Sequence, residues 1–425
     1  MRNPLICCLV VLLLVVLMQE DAVSEPRIVF PKTDSWLMRT DTTGHELWSR
    51  EFDTGQHAEF TVAKLTCDSG LVLLQGADTC DGTAAVRLIM TDMGGNIQWE
   101  RCYHPVTDGH AGVATDIMQL RDGRFVLAGS FGWERSAWLM CLDRNGEGIW
   151  SRSYAISNVP AHVACSAIAL LADGGFVLCG TASDSVAMRT ADNRTSSWII
   201  KVDSTGLRQW MHVYDHGDMS DLCSIAASSA GNISAVGFHA YREAHSNHIR
   251  MDSWRVIVDQ LGSVIQDKPS HESNQSLARS VRLTPDDNFI YEGYAGDDVV
   301  LSRGAFPQEF LLEKTDTYGK VLWTQRYQGR MVSRMCPSQD NGYLLFGNEL
   351  PGDDSTRYHF VKIDQLGAIQ WSRESSVLHG GEPTLGGPCS GGYFFAGDHV
   401  TFSRSRRSCV PYASPTATEQ DNTSK

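Results

Sequence analysis

The chain has 425 residues, 42% of them hydrophobic, which is enough for two or three domains or for one large repeat architecture with a substantial core. Its formal net charge is −14, and an acidic chain without a long lysine or arginine run is a poor ligand for nucleic acid or for an anionic membrane. The composition also excludes a disordered chain, and the 38 glycines show no collagen period.

The first residues indicate an export signal. Arg2 precedes the apolar run Leu5 to Met18, and Ala22-Val23-Ser24 forms a small-x-small cleavage pattern. We predict a signal peptide over residues 1–24; an uncleaved anchor is the alternative, but the apolar run is short for a bilayer. The C-terminus carries neither a GPI signal nor a retrieval motif. We therefore expect a secreted protein without a membrane span once the leader is removed.

Cysteine and asparagine positions agree with that compartment. The mature chain keeps an even number of cysteines, scattered singly, so disulfides are allowed but their pairing is not fixed by the sequence. Cys141, Cys179 and Cys223 lie inside apolar runs and fit buried thiols equally well. N-glycosylation is predicted at four sequons, which are Asn193, Asn232, Asn274 and Asn422.

An internal repeat dominates the rest of the chain. One segment consists of an apolar run, an aspartate, two further residues, a glycine and then a tryptophan, as in Trp198 to Asp203 with Gly206 and Trp210. One copy has Gln266 in place of the last tryptophan. The repeated aspartates are Asp41, Asp92, Asp143, Asp203, Asp259, Asp316 and Asp364. Ten of the eleven tryptophans fall at the two aromatic positions of this segment, and only Trp133 lies outside it.

A second repeated segment alternates with the first and joins turn residues to a short apolar strand that ends in glycine. Its copies run over 68–76, 122–129, 173–180, 230–237, 286–293, 340–347 and 390–397. Each repeat fits four short strands with turns at hairpin spacing. The Asp-x-x-Gly pattern predicts a type I turn with the glycine left-handed, so these aspartates are read as turn formers. A calcium or catalytic role is the alternative, although each turn supplies only one carboxylate.

Four-stranded units of about 50 residues with aromatic markers are typical of a β-propeller. The sequence resembles kelch-type and related secreted propeller repeat proteins in Asp173 to Gly180 and in Trp198 to Gly206. We predict an all-β, seven-bladed β-propeller over residues 34–400, after an N-terminal arm over 25–33 and before a flexible tail over 401–425. The repeat phase leaves half a blade at each end, so strands from both termini are expected to share the last blade.

The same phase assigns the connections to two faces. Turns between strands 1 and 2 and between strands 3 and 4 are short and lie on one face, whereas the 2–3 and 4–1 connections lie on the other and vary in length. The longest are expected at 181–197, 238–253 and 294–309. By analogy with other propellers, we expect a binding site on this long-loop face and at the mouth of the central channel.

Histidines on that face are weak candidates for a metal site. Six 4–1 connections carry one, and the set is His57, His110, His162, His216, His271 and His379. Their spacing to the next turn is irregular, so solvated loop histidines are the favoured interpretation. His239, His245 and His248 near Asp252 form a second weak candidate.

Motifs for catalysis do not stand out, so we predict no catalytic residue and no cofactor: the sequence has no G-x-S-x-G, H-E-x-x-H, P-loop or G-x-G-x-x-G pattern in a suitable setting. The recurrent tryptophans of strand 4 are expected in the core between blades rather than on a sugar-stacking surface. Two functions remain open. The first is a monomeric binding or scaffold module for a protein or glycan, and the second is a carbohydrate-acting hydrolase or lyase with its site at the channel mouth.

Overall fold

A computed structural model describes residues 32–401, apart from 53–57, 68–69, 81–82, 108–109, 132–135, 157–161, 184–194, 215–218, 243–248, 270–274, 297–308, 329–333, 349–357 and 375–381. The regular structure of this part is entirely β-strand. Within it, no helix is long and apolar enough to cross a membrane. The predicted leader, the predicted tail beyond Thr401 and most of the predicted arm lie outside the described residues.

The first fifteen strands are β1 (Lys32–Asp41), β2 (Glu46–Phe52), β3 (Ala58–Leu65), β4 (Leu71–Cys80), β5 (Thr83–Thr91), β6 (Ile97–Tyr103), β7 (Val106–Thr107), β8 (His110–Gln119), β9 (Phe125–Phe131), β10 (Ser136–Leu142), β11 (Gly148–Ala155), β12 (His162–Leu170), β13 (Phe176–Ser183), β14 (Thr195–Val202) and β15 (Arg208–Tyr214). The others are β16 (Met219–Ala227), β17 (Ile233–Arg242), β18 (Ile249–Val258), β19 (Val264–Pro269), β20 (Gln275–Leu283), β21 (Phe289–Gly296), β22 (Glu309–Thr315), β23 (Val321–Gln328), β24 (Arg334–Pro337), β25 (Tyr343–Asn348), β26 (Tyr358–Ile363), β27 (Ile369–Glu374), β28 (Glu382–Cys389) and β29 (Gly392–Thr401).

Backbone pairing arranges these strands into six sheets. Four sheets have four strands, one has five because the short β7 adds to β8–β11, and one has eight. Strands that follow one another in a sheet are antiparallel hairpin neighbours. The eight-stranded sheet consists of two such runs, β12–β15 and β16–β19, which are joined by one parallel pair between Thr195 and Met219. We call each run of four antiparallel strands a unit.

One unit is built from both ends of the described chain. Its strand order is β2-β1-β29-β28, and β1 pairs with β29 along its whole length, from Lys32 opposite Thr401 to Asp41 opposite Gly392. The prediction that the two termini share a sheet is therefore confirmed. Because β1 begins at Lys32, the predicted N-terminal arm ends two residues earlier than expected.

Apolar side chains on both faces of each unit form cores with the units before and after it. Phe395 of β29 packs against Phe346 and Phe360, with ring centroids 5.1 and 4.9 Å apart. The opposite face of the same sheet contributes Phe394 to a core with Leu71 of β4. The other shared cores contain Leu74 with Phe125, Val126 with Phe176, Val177 with Ile233, Val236 with Phe289, and Ile290 with Tyr343. Sheets that are each covered by two neighbours in this way make the chain an all-β propeller.

The tryptophans of the fourth strand lie between units. Trp150 of β11 packs onto the core shared by β9–β14 and lies against Gly206, in the turn of the next unit. Trp48 lies in the same way against Gly95, and Trp371 near the end of the described chain lies against Gly44 near its beginning. These rings are half-buried, and their placement confirms that they belong to the inter-unit core.

Most of the described cysteines are free thiols. Cys141, Cys165, Cys179, Cys336 and Cys389 are buried and free, so a disulfide framework does not account for them. The expectation of buried thiols holds for Cys141 and Cys179, whereas Cys223 is only half-buried. Burial raises the pKa of the Cys165 thiol to about 12, which keeps it protonated and unreactive at neutral pH. Cys102 is disulfide-bonded.

Candidate functional site

The repeated aspartates form turns. Oδ1 of Asp203 accepts the backbone N–H of Thr205 at 2.8 Å and that of Leu207 at 3.0 Å, while Gly206 has a φ of +81°. The same two backbone donors, two and four residues further on, serve Asp41, Asp92, Asp143, Asp203, Asp259, Asp316 and Asp364. Hydrogen bonds from the Leu207 N–H and from Thr205 lower the pKa of Asp203. The prediction that these aspartates are turn formers is confirmed.

The described residues test little of the predicted histidine site. His57, His216, His271 and His379 lie outside them. His110 is the first residue of β8 and the half-buried His162 is the first residue of β12, so both belong to first strands and not to the 4–1 connections in which the sequence analysis placed them. In the described residues no three His, Cys, Asp or Glu side chains are grouped so that they could hold a metal ion.

The second predicted cluster is built around a buried carboxylate. Asp252 is fully buried in β18 opposite His239 of β17, and its carboxylate accepts hydrogen bonds from Arg250 Nε at 3.2 Å and from the Tyr241 hydroxyl at 3.3 Å. The ring of His239 stacks on Tyr241, with centroids 5.4 Å apart. Asp252 therefore forms a buried ion pair with Arg250. His245 and His248 lie outside the described residues.

The first strands of neighbouring units lie side by side. Asp116 of β8 bridges them, because its Oδ1 accepts Lys64 Nζ from β3 at 2.6 Å and its Oδ2 accepts the Ile168 N–H from β12 at 3.1 Å. The carboxylate therefore joins three consecutive units. Both carboxylate oxygens bond to groups of neighbouring first strands, so Asp116 stabilises the packing of these strands.

A cluster of polar side chains that the sequence analysis did not identify lies on β13, β16, β20 and β21. The Thr181 hydroxyl donates to Asp221 Oδ1, and burial raises the pKa of the Asp221 carboxyl. In the next unit, Arg279 donates to the Tyr294 hydroxyl at 3.0 Å. Between them, the Cys223 thiol donates to the Arg279 carbonyl at 3.2 Å. A carboxyl whose pKa is raised stays protonated to higher pH than an ordinary one, as a general acid requires, and a guanidinium can hold an anionic group.

These residues share a position in the repeat that could have pointed to them. Cys223 and Arg279 are both the extra residue of a β-bulge in the first strand, and Asp221 lies two residues before its bulge. Bulges redirect side chains and are frequent next to functional sites. At the bulge of β16 the alternation of burial breaks, since Cys223 and Ser224 are consecutive half-buried residues.

Connection lengths bear out the predicted variation in part, because the 2–3 connections range from two residues at 81–82 to twelve at 297–308. Turns between strands 3 and 4 have four or five residues, whereas the 2–3 connections reach eleven residues at 184–194 and twelve at 297–308. These loops are shorter than predicted, since Ser183 pairs with Thr195 and the strands extend beyond Thr181 and Ser197. The third predicted loop shrinks to 243–248 for the same reason.

The short-turn face carries ion pairs that the sequence analysis missed. Lys201, Lys314 and Lys362 are buried near the end of a third strand, and each reaches the 1–2 turn of its own unit. Their Nζ atoms lie 2.9, 2.8 and 2.8 Å from carboxylate oxygens of Asp173, Asp286 and Asp340. An alignment of the repeats could have found these pairs, because each lysine directly faces the strand-4 tryptophan.

One predicted glycosylation site has another role. Asn232 is buried, and its Nδ2 donates to the Thr317 carbonyl of the next unit at 3.1 Å. A glycan would occupy that nitrogen and need space that the turn does not offer. The geometry removes Asn232 from the candidate sequons, while Asn193, Asn274 and Asn422 lie outside the described residues.

Comparisons with known proteins give distant structural likenesses only. No family model and no curated protein matches the chain. A solved structure titled the Dos1 propeller aligns with a TM-score of 0.42 at 13% identity, over 79% of this chain and 77% of that one. A protein of unknown function from Dyadobacter fermentans gives 0.41 at 9% identity, over 81% and 95%. A DUF4221 family member from Bacteroides vulgatus gives 0.40 at 9% identity, over 75% and 91%.

Proposed function

We propose that this protein is a secreted, seven-bladed β-propeller that binds a protein or glycan ligand through its long-loop face. In this proposal each four-stranded unit is one blade, and the eight-stranded sheet counts as two blades joined at Thr195 and Met219. The shared cores support this count, because buried apolar clusters join each unit to the preceding and the following unit. The export signal and the sequons Asn193, Asn274 and Asn422 support an extracellular glycoprotein.

The observation that carries the binding role is the difference in length between the two faces. A turn of four or five residues closes each hairpin between strands 3 and 4, whereas the 2–3 connections at 184–194, 297–308 and 349–357 have nine to twelve residues. Extra length beyond what a hairpin turn needs is typical of recognition loops held by a rigid scaffold. All three loops belong to the face where the first strands begin.

Loop replacement tests the proposal. The mature chain and a variant with 184–194 and 297–308 each replaced by a short Asn-Gly hairpin are screened against immobilised glycans and extracellular proteins. We expect the mature chain to bind at least one ligand and the variant to lose that binding while its melting temperature stays unchanged. The variant Leu207→Ser, which changes one exposed residue of a 3–4 turn on the opposite face, serves as the control. Equal binding by all three proteins would overturn the proposal.

The alternative is a carbohydrate-acting enzyme, and Asp221 favours it. The pKa of this carboxyl is raised by burial, which is the state that a general acid needs, and Thr181 fixes its orientation. Turnover of a polysaccharide by the mature chain that is lost in Asp221→Asn, but kept in the exposed control Glu51→Gln, would establish this function in place of the first.

A further inference from the structure

Three consecutive turns on the short-turn face have an exposed apolar tip. The third residue of Asp-x-x-Gly is Leu261, Tyr318 or Leu366 in the units β16–β19, β20–β23 and β24–β27, and these side chains are 75%, 65% and 61% exposed. The other four turns carry Thr43, Gly94, Asn145 and Thr205 at the same position. The turn geometry does not require an apolar residue there, because all seven turns have the same hydrogen bonds.

The strands that leave these turns extend the apolar surface. Val264, Val321 and Ile369 open the fourth strands and are 54%, 49% and 61% exposed. We call these three residues, with the three turn tips, the apolar rim. Ile265 and Leu322 beside them are exposed as well. Nine of the sixteen large exposed hydrophobic side chains in the described residues lie in these three units, and eight of the nine are the apolar rim with Ile265 and Leu322.

The three turns form one continuous edge. Gln325 Nε2 of β23 donates to the Leu366 carbonyl at 3.4 Å, and the Tyr327 hydroxyl donates to the Gly367 carbonyl at 2.7 Å. Gly319, next to Tyr318, lies against the side chain of Gln266 in β19. Each turn is therefore packed onto the fourth strand of the unit before it, so the apolar tips follow one another along the rim.

Acidic residues border this surface. Within the 1–2 and 3–4 turns of the three units, the charged residues are six aspartates and Lys320. Lys314 and Lys362 neutralise Asp286 and Asp340, which leaves Asp259, Asp287, Asp316 and Asp364. The Ser263 N–H bonds to Asp259 and lowers the pKa of that carboxyl, so its charge persists at neutral pH. The net charge of the whole chain, −14, has the same sign.

We propose that the apolar rim is a docking surface for a partner protein that presents apolar side chains flanked by lysine or arginine. Exposed apolar area supplies the affinity, and the turn carboxylates select a basic border. A second copy of this chain would bring the same acidic turns into opposition, and an anionic membrane would be repelled in the same way. This surface lies on the opposite face from the long loops and does not depend on the function proposed for them.

Matched peptides and variants test the proposal. The probe is a fluorescein-labelled amphipathic helix of leucine and lysine, and its control has glutamate in place of each lysine. We expect the mature chain to bind the lysine peptide, with affinity falling as salt rises, and not the glutamate peptide. The variant Leu261→Thr, Tyr318→Thr, Leu366→Thr should weaken binding about tenfold or more. Its turns should fold normally because Thr43 and Thr205 occupy this position elsewhere.

The control variant is Leu47→Thr, Ile97→Thr, Ile149→Thr, which removes three exposed apolar residues from fourth strands outside the rim. It should change affinity less than about twofold. Leu366→Asn alone, which introduces the residue type that Asn145 has at this turn position, provides a milder change if the triple variant melts early. Equal affinity of both triple variants, or equal binding of both peptides, would overturn the proposal. Rim-dependent dimerisation in sedimentation velocity, or rim-dependent binding to phosphatidylserine vesicles, would do so as well.

Discussion

Trp36 and Gly397 are direct cross-strand partners, although one lies close to the beginning of the described chain and the other close to its end. This pairing places strands from both ends in one sheet, whose two faces pack onto the units that follow and precede it in the ring. Because no unit covers both of its own apolar faces, the stability of each depends on the others. The following predictions test separate parts of this arrangement.

Two glycine-to-alanine substitutions separate the cost of backbone strain from the cost of disturbed packing between units. Gly206 and Gly391 have φ of +81° and +75°, so each substitution should cost about 1 kcal/mol of unfolding free energy from strain. A methyl group at Gly206 would also collide with the Trp150 ring, whereas the space beside Gly391 is open. We expect Gly206→Ala to cost about 1 to 3 kcal/mol more than Gly391→Ala in urea unfolding. Equal losses would show that the tryptophan does not pack tightly on the next turn.

The turn carboxylates should act through backbone hydrogen bonds and not through a metal. Asp203→Ala removes the acceptor for Thr205 and Leu207 and should lower the unfolding free energy by about 1 kcal/mol. Asp203→Asn keeps an oxygen at the same place and should lose less. Thermal unfolding of the native chain with calcium and with EDTA should give the same melting temperature. A calcium-dependent stabilisation that disappears in Asp203→Asn would instead assign a metal to the turn.

The lysine–aspartate pairs should make stability depend on acid pH. Partial burial by itself would raise the pKa of Asp286 and of Asp340, but hydrogen bonds from Lys314 and Lys362, together with those from other groups of the same turns, lower each to about 2. A lowered carboxyl pKa stabilises the fold above the unfolded value near 4, and this contribution is lost as pH falls towards 2. Since both carboxylates are about half exposed, we expect about 0.5 to 1 kcal/mol per pair.

Urea titrations between pH 2 and pH 7 check this prediction. The double variant Asp286→Asn, Asp340→Asn should be less stable than the native chain at pH 7 and nearly equal to it at pH 2. Asp287→Asn is the matched control, because this half-buried turn carboxylate bonds to Ser229 and not to a lysine. An unchanged difference across the whole pH range would mean that the pairs contribute no ionic stabilisation.

Asp221 should have the opposite pH dependence. Burial raises the pKa of this carboxyl, so ionisation opposes folding and stability falls as pH rises through the raised value. Asp221→Asn keeps an acceptor for the Thr181 hydroxyl and removes the charge. We expect the variant to be more stable than the native chain at pH 8 and nearly equal to it at pH 3, below the unfolded pKa, measured by urea unfolding. A variant that is less stable at pH 8 would show that the ionised carboxylate has a stabilising partner.

Much of the architecture could be predicted from the sequence because its turns require particular residue types at fixed positions. Gly206 and the equivalent glycines take a left-handed conformation, and Asp203 caps the turn, so the pattern recurs in every unit. Two positions show that geometry outweighs residue type, since Asp287 and Asn341 take positive φ of 56° and 63° where other units use glycine. These residue types tolerate that conformation because their short side chains bond locally.

The candidate site was harder to predict because its groups are defined by neighbours in space. Asp221 depends on Thr181 in the preceding unit, and Asp116 depends on Lys64 and Ile168 in two different units. Asn232 shows the reverse problem, since a local sequon pattern coincides with a buried side chain. The repeat positions can be identified in a single sequence. Contacts between repeats cannot, because they depend on how each unit is rotated against the next.

The most direct test of the closed ring is a comparison of two C-terminal truncations. Stopping after residue 375 removes β28 and β29 and leaves β1 paired only with β2, whereas stopping after residue 405 removes only residues beyond β29. We predict that the longer chain unfolds in one cooperative urea transition like the full mature chain, and that the shorter chain loses that transition and aggregates. A monomeric shorter chain with an unchanged urea midpoint would contradict the closed ring.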